Sequence, residues 1–175
     1  MKCTSAEAAK YLRKLNEDYA SLLSREEVRR DFLVSLGEDP ESVRPPYDFR
    51  KTQDALDEME QKIRRVKHAI NLFNTTHTVP GFDLTIDEML VLIPQLTKRK
   101  NKLAEMKEKL PKTREQIYSK SNIVDYRYIN YNSDEAASEY EKAAELLSRA
   151  QTALDTVNNT ETLDIPVCVN AVFPS

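Results

Sequence analysis

The sequence predicts a mainly α protein, an antiparallel helical bundle or set of coiled-coil hairpins of about four helices with a minor β element. Its 175 residues include only two glycines and no tryptophan, and 31% are charged, a composition typical of helix-rich chains. Two capping boxes and one long seam of regularly spaced apolar residues support the same fold class. At this length we expect one helical domain over residues 1–175.

The first helix is predicted to begin after Thr4, because Thr4 and Glu7 have the spacing of a capping box. Its apolar stripe has spacings of three and four and runs through Ala8, Leu12, Leu15, Tyr19 and Leu22. The same phase would next bring Glu26 and Arg29 into the seam. We therefore expect the helix either to break near Ser24 or to shift its apolar face to Val28 and Phe32.

Residues 37–49 are predicted to form a proline-rich linker, since prolines lack amide donors and disfavour helix in the residues before them. Gly37 at its start suits a left-handed helix stop. The second helix follows, capped by Asp48 or Thr52. Its apolar positions alternate three and four without a miss, which predicts a coiled-coil seam of Leu56, Met59, Ile63, Val66, Ile70 and Phe73.

The stretch NLFNTTHTVPGF, residues 71–82, joins the second helix to the third. Residues 79–82, Val-Pro-Gly-Phe, suit a type II turn in a short hairpin, with proline at the second position and glycine at the third. Thr85 and Glu88 then form the second capping box. Pro94 should kink the third helix without ending it, because the apolar pattern resumes beyond the proline.

The polar side chains of this junction form one candidate binding site, namely Asn71, Asn74, Thr76 and His77. Loops carry functional residues disproportionately, and these side chains would crowd where two helices meet. No residue that could act with His77 in catalysis lies at a recognisable sequence spacing from it. We therefore interpret the stretch first as a turn and second as a binding site.

In residues 122–132 the helical spacing of apolar residues gives way to a two-residue alternation rich in aromatic and β-branched residues. This pattern predicts one strand. The last helix follows, capped by Asn132 and rich in inward-facing alanines that allow close helix approach. The tail, residues 162–173, is again β-like. We expect it to pair with the tyrosine-containing strand or with a neighbouring chain.

Charge is distributed unevenly along the chain. Residues 98–120 hold nine Lys or Arg against three Glu, a local charge of +6, whereas residues 133–164 hold eight acids against two bases, a local charge of −6. The simplest consequence is that the third and fourth helices face one another. The alternative is a nucleic-acid surface, in which Lys98, Arg99 and Lys100 contact phosphates and Tyr126 and Tyr128 stack on bases.

Several kinds of chemistry lack a sequence signature. Gly37 and Gly81 are 44 positions apart and cannot form a glycine-rich phosphate loop. Neither His68 nor His77 has the Glu three positions earlier that a di-metal helical bundle requires. We therefore expect no metal ligands, no cofactor and no catalytic residues.

The N-terminal stretch MKCTSAEAAKYLRKL has no apolar run of signal-peptide length, and no segment reaches the roughly 18 apolar residues of a membrane span. Two isolated cysteines imply no disulfide framework and suit a reducing compartment. We expect a soluble cytoplasmic protein without a transmembrane segment.

The junction AINLFNTTHT, the helix opening DLTIDEML, the stretch REQIYSKSNIVDYRYINYN and the ending VNNTETLDIP together resemble the septicolysin-like family of small, largely uncharacterised bacterial helical proteins. The resemblance covers most of the chain beyond residue 50. It implies a helical fold and, through the member that gives the family its name, a haemolysin-like activity. It implies no catalytic residues.

Four functional hypotheses follow from the sequence. The leading one is a non-catalytic helical module that forms a homo-oligomer or binds another protein, because the seam of the second helix is uninterrupted and the β-like segments are unpaired. The alternatives are nucleic-acid binding through residues 98–120, the haemolysin-like activity that the resemblance implies, and an enzyme built around residues 71–82.

Overall fold

The computed structural model describes residues 1–115 and 124–166. These residues divide into two compact units: the first contains residues 1–76 and 157–166, and the second contains residues 77–115 and 124–156. The predicted mainly α fold with a minor β element is confirmed. In order, the elements are β1 (Lys2–Thr4), α1 (Ser5–Arg29), α2 (Pro40–Val43), α3 (Phe49–Thr76), β2 (Thr78–Val79), β3 (Leu84–Thr85), α4 (Ile86–Lys107), β4 (Lys112–Arg114), β5 (Tyr126–Tyr128), α5 (Ser133–Thr160) and β6 (Thr162–Asp164).

In the first unit, α1 and α3 pack antiparallel along a shared apolar seam. The predicted capping box at Thr4 and Glu7 is present, and α3 begins after Asp48, whose carboxylate accepts the amide hydrogen of Lys51. The most buried positions of the two helices follow the predicted stripes and are Ala8, Leu15, Leu56, Val66 and Phe73. Burial of these side chains supplies the main driving force for the helix pair.

The end of α1 differs from both sequence expectations. The helix neither breaks after the stripe nor shifts its apolar face, and it continues in phase to Arg29. Val28 consequently points to solvent and is 75% exposed. Glu26 enters the seam because its carboxylate accepts hydrogen bonds from Tyr47 and Gln53, which compensate its partial burial.

The linker between α1 and α3 contains one short helical turn, α2, which Asp39 caps. Gly37 has the predicted positive φ of 90°, but α1 ends well before it. The glycine instead belongs to a turn in which the amide of Glu38 donates to the carbonyl of Ser35. The prediction that Gly37 stops the first helix is therefore wrong.

Two short strands close the first unit. β1 and β6 pair antiparallel, with Lys2 opposite Asp164 and Thr4 opposite Thr162. The described part of the β-like tail, up to residue 166, therefore pairs with β1 and not with the tyrosine-containing strand, so that alternative is wrong, whereas pairing with a neighbouring chain stays a prediction. Residues 167–173 of that predicted segment lie outside the described residues.

The second unit begins with the predicted hairpin. β2 and β3 pair antiparallel, the amide of Phe82 donates to the carbonyl of Val79, and Gly81 has a φ of 82°, as a type II turn requires. The second capping box, Thr85 with Glu88, opens α4. This helix is continuous through Pro94, as the resumed apolar pattern predicts.

Helices α4 and α5 face one another, as their opposite charges predict. Arg99 forms an ion pair with Glu139 at 3.1 Å, and the ammonium of Lys107 lies 3.6 Å from the ring centroid of Tyr140. Exposed ion pairs contribute only about 0–1 kcal/mol each. The buried residues therefore supply most of the stability of this unit, and these are Val79, Ile86, Met89, Leu96, Leu103, Ala136, Ala143, Leu147, Ala150 and Leu154.

A second hairpin connects α4 to α5. β4 pairs antiparallel with β5, the described strand within the predicted segment 122–132, whose first two residues lie outside the described chain. The hydroxyl of Tyr131 donates a hydrogen bond to the carbonyl of Met106 at 2.8 Å, and the same carbonyl accepts the amide hydrogen of Lys109 at the end of α4. Within the basic run, residues 112–114 therefore form a strand rather than helix.

Candidate functional site

The junction residues lie in different units of the chain. Asn71, Asn74 and Thr76 belong to the last two turns of α3, and the Thr76 hydroxyl donates to the carbonyl of Leu72 within the same helix. His77 begins the second unit, where its carbonyl accepts the amide hydrogen of Ile86. These bonds are those of a helix end and a turn, so they support the interpretation of residues 71–82 as a structural junction.

The basic triplet of α4 is only partly available to a ligand. Arg99 is engaged by Glu139, as described above. Lys98 is exposed and Lys100 is half-buried, and neither has an ion-pair partner within residues 1–115 and 124–166. The triplet therefore offers two free cations on a helix that already pairs with acidic α5.

The β4–β5 hairpin brings cations and tyrosines together. Lys112 lies opposite Tyr128 and Arg114 lies opposite Tyr126 in the antiparallel register. Directly opposed residues share one face of a sheet, so all four side chains lie on the same face. We call these four residues the cation–tyrosine face. The sequence identified the two tyrosines, but it missed their cross-strand partners because β4 was not predicted.

The tyrosines of this face are held by a cation and remain open to solvent. The ammonium of Lys112 lies 4.1 Å from the ring centroid of Tyr126 and 5.4 Å from that of Tyr128, within the range of cation–π contacts. Tyr126 is 48% exposed and Tyr128 is 63% exposed. Each ring therefore contacts Lys112 and keeps exposed surface to which a ligand can bind.

A groove of about 620 Å³ lies in the first unit, where the seam between α1 and α3 becomes polar. Its lining combines apolar side chains with cations and comprises Leu22, Arg25, Glu26, Arg29, Pro46, Tyr47, Asp48, Lys51, Thr52 and Ala55. The groove follows from the phase of α1, since Glu26 and Arg29 replace the apolar residues that would otherwise close the seam. Its volume falls within the range of ligand and side-chain pockets.

One polar network fixes the wall of the groove. Glu26 accepts hydrogen bonds from the hydroxyl of Tyr47 at 3.0 Å and from the amide of Gln53 at 2.6 Å. Burial and the hydrogen bond to the Glu26 carboxylate raise the pKa of Tyr47 above its ordinary value of 10.0. Tyr47 is therefore protonated and acts as a donor at neutral pH.

Large apolar side chains are exposed around this end of the helix pair. They lie on the connection between α1 and α3 or in the adjoining turns, and we call Val28, Leu33, Leu36 and Phe49 the apolar end. Their exposed fractions are 75%, 98%, 108% and 66%. Folded chains place such side chains in water at a cost, which a contact with another surface relieves.

The described chain contains neither a metal-binding cluster nor a membrane-spanning helix. No group of three or more His, Cys, Asp or Glu residues within 1–115 and 124–166 is arranged to hold a metal ion. In the same residues, no helix has the length and apolar character needed to cross a membrane.

Comparison with known proteins supports the fold alone. No protein-family model and no curated protein matches the chain. A crystal structure described as a functionally unknown conserved protein from Corynebacterium diphtheriae is similar, with a TM-score of 0.62 and 18% sequence identity. The similarity covers 94% of this chain and 100% of that one.

Proposed function

We propose that this protein is a non-catalytic interaction module that self-associates through the apolar end of its α1–α3 helix pair. The exposure of Val28, Leu33, Leu36 and Phe49, on the α1–α3 connection and in its adjoining turns, supports the proposal. Scattered single apolar residues are normal on a protein surface, whereas several within 22 positions of one another suggest a contact surface.

The free energies of side-chain burial and of association favour a contact that buries several of these side chains together. Complete burial of one large apolar side chain contributes about 1.5–3 kcal/mol. Association costs about 4–15 kcal/mol in lost translational and rotational freedom, so one buried leucine cannot sustain a dimer. We therefore expect a weak to moderate dimer in which the apolar end is buried as a whole.

The features of the first unit favour a second copy of this chain as the partner. The apolar end and the groove beside it belong to the same unit, so a two-fold arrangement would place Leu33 or Leu36 of each copy in the groove of the other. Residues 25–51 hold six basic and seven acidic residues, a net charge of −1. Two copies of this region therefore meet without strong electrostatic repulsion.

The test is self-association measured by light scattering over a concentration series, with Leu33→Ser and Leu36→Ser as variants. Loss of about 1.5–3 kcal/mol of burial should weaken dimerisation about 10-fold or more. Leu110→Ser is the matched control, because Leu110 is 66% exposed but lies in the second unit. Equal self-association by all four proteins would rule out the apolar end as the contact.

The haemolysin-like activity implied by the septicolysin-like resemblance stays a prediction. It requires that the protein release dye from liposomes, and the Leu33→Ser and Leu36→Ser variants separate this activity from self-association. Leakage that persists in both variants would place the lytic activity outside the apolar end.

A further inference from the structure

The cation–tyrosine face is chemically segregated from the rest of its hairpin. Side chains alternate between the faces of a strand, so Glu115 and Asp125 lie on the opposite face from Lys112, Arg114 and the tyrosines. On that opposite face, Glu115 forms an ion pair with Arg127. The cation–tyrosine face itself therefore carries two positive charges and no acidic residue.

Both cations are available to an anion. Arg114 is exposed and has no ion-pair partner among the residues that the structure describes. The ammonium of Lys112 lies over the faces of Tyr126 and Tyr128, and no carboxylate of residues 1–115 or 124–166 forms an ion pair with it. A phosphate is a suitable ligand for such a pair, because hydrogen bonds from Arg or Lys to a phosphate are roughly twice as strong as those between neutral groups.

The spacing of the two rings suits a nucleobase. Tyr126 and Tyr128 are two residues apart on one strand, which separates their side chains by about 6.6 Å. Stacked bases follow one another at about 3.4 Å, so two ring positions at about twice that spacing can each accept a base of one strand. Lys112 now occupies the faces of these rings, and it can move from the rings to the phosphate of an entering nucleotide.

The same geometry favours a single strand over a duplex. Bases within a duplex stack on each other and do not offer their faces to a protein, whereas unpaired bases stack readily on exposed aromatic rings. Base stacking is stronger than an exposed cation–π contact, so the exchange of Lys112 for a base is favourable.

We propose that the cation–tyrosine face binds single-stranded nucleic acid, with bases stacked on Tyr126 and Tyr128 and phosphates bound by Lys112 and Arg114. This site lies in the second unit and is separate from the apolar end proposed for self-association. It also differs from the helical surface at Lys98–Lys100, because its ligand is held by stacking as well as by charge.

The test is fluorescence anisotropy of a labelled oligothymidylate or oligouridylate of about 15 nucleotides, a length that spans known single-strand sites. Tyr128→Ala should weaken binding about 5-fold or more, and Tyr128→Phe, which retains the ring, should bind like the unchanged protein. Lys112→Ala and Arg114→Ala should each reduce the salt dependence by about one counterion. Lys67→Ala, which removes an exposed cation from the first unit, is the matched control.

Three results would overturn the proposal. The first is absence of binding at low salt, and the second is equal affinity for a duplex of the same length. The third is affinity that falls with Lys112→Ala but not with Tyr128→Ala, which would indicate general attraction to polyanions. Circular dichroism of each variant confirms that the fold is retained.

Discussion

The hydroxyl of Tyr19 donates a hydrogen bond to Oε1 of Glu60 at 2.7 Å across the seam between α1 and α3. The seam thus contains a polar contact between its apolar layers, and a second one follows at Glu26. Polar contacts at single seam positions fix the register of paired helices, because a shift would leave a half-buried carboxylate without its donor.

This contact predicts that Tyr19 ionises at an unusually high pH. The hydrogen bond to Glu60, then burial, raises the pKa of Tyr19 above its ordinary value of 10.0. A raised folded-state pKa stabilises the fold below pH 10.0, and that contribution is lost as the pH rises through the folded-state value. Ultraviolet titration should show one fewer late-ionising tyrosine in Tyr19→Phe, and stability should depend less steeply on alkaline pH. An unchanged titration curve would contradict the contact.

The capping box of α4 predicts a local loss of stability. The hydroxyl of Thr85 accepts the amide hydrogen of Glu88 at 3.2 Å, and Thr85→Ala leaves that amide without its partner. We expect the free energy of unfolding to fall by about 1 kcal/mol in urea titrations. Thr75→Ala is the control, because its hydroxyl donates only to carbonyls within α3. Equal losses in the two variants would argue against a specific cap.

The lowered pKa of Glu88 predicts that the stability of the fold decreases at acid pH. Hydrogen bonds from the backbone and side chain of Thr85 hold the pKa of Glu88 below its ordinary value of 4.5. A lowered folded-state pKa stabilises the fold above pH 4.5, and the contribution disappears as the pH falls through the folded-state value. Glu88→Gln keeps an acceptor without the charge. Its stability deficit, measured in urea from pH 6 to pH 2, should therefore be largest near neutrality; a pH-independent deficit would contradict this account.

The buried Cys3 predicts slow thiol chemistry. Burial and the nearby Glu7 carboxylate raise the pKa of the Cys3 thiol above its ordinary value of 9.0. In a Cys168→Ser background, we expect iodoacetamide to label the folded protein far more slowly than the urea-unfolded protein. The thiol's contribution to stability should be present below pH 9.0 and decline as the pH rises further. Equal labelling rates in both states would show that β1 and β6 do not protect the thiol.

Local sequence signals predicted the local structure well. The two capping boxes, the caps at Asp48 and Asn132 and the turn at residues 79–82 each depend on neighbours within four positions. These features are governed by backbone hydrogen bonds that the same few residues supply. They were therefore readable without knowledge of the tertiary fold.

Features that depend on distant partners were not readable. The continuation of α1 through Glu26 requires Tyr47 and Gln53, which follow the linker. The strand at residues 2–4 exists because it pairs with residues 162–164 at the other end of the chain. A three-residue strand has no periodicity of its own to detect.

The candidate sites also divide into residues that a local pattern identifies and residues whose role depends on distant partners. Tyr126 and Tyr128 were identified from sequence because alternating aromatics are a local pattern. Lys112 and Arg114 were assigned only to a basic run, and their position opposite the tyrosines depends on the hairpin register. The groove and the apolar end were missed because they follow from the unexpected phase of α1.

Sedimentation equilibrium of the unchanged protein tests the central claim of self-association most directly. A monomer has a mass of 20.2 kDa, and the proposal predicts a mass that rises toward twice that value across the micromolar range. The Leu36→Ser variant should require a markedly higher concentration to reach the same mass. A constant mass of 20.2 kDa for the unchanged protein at every concentration would contradict the proposed function.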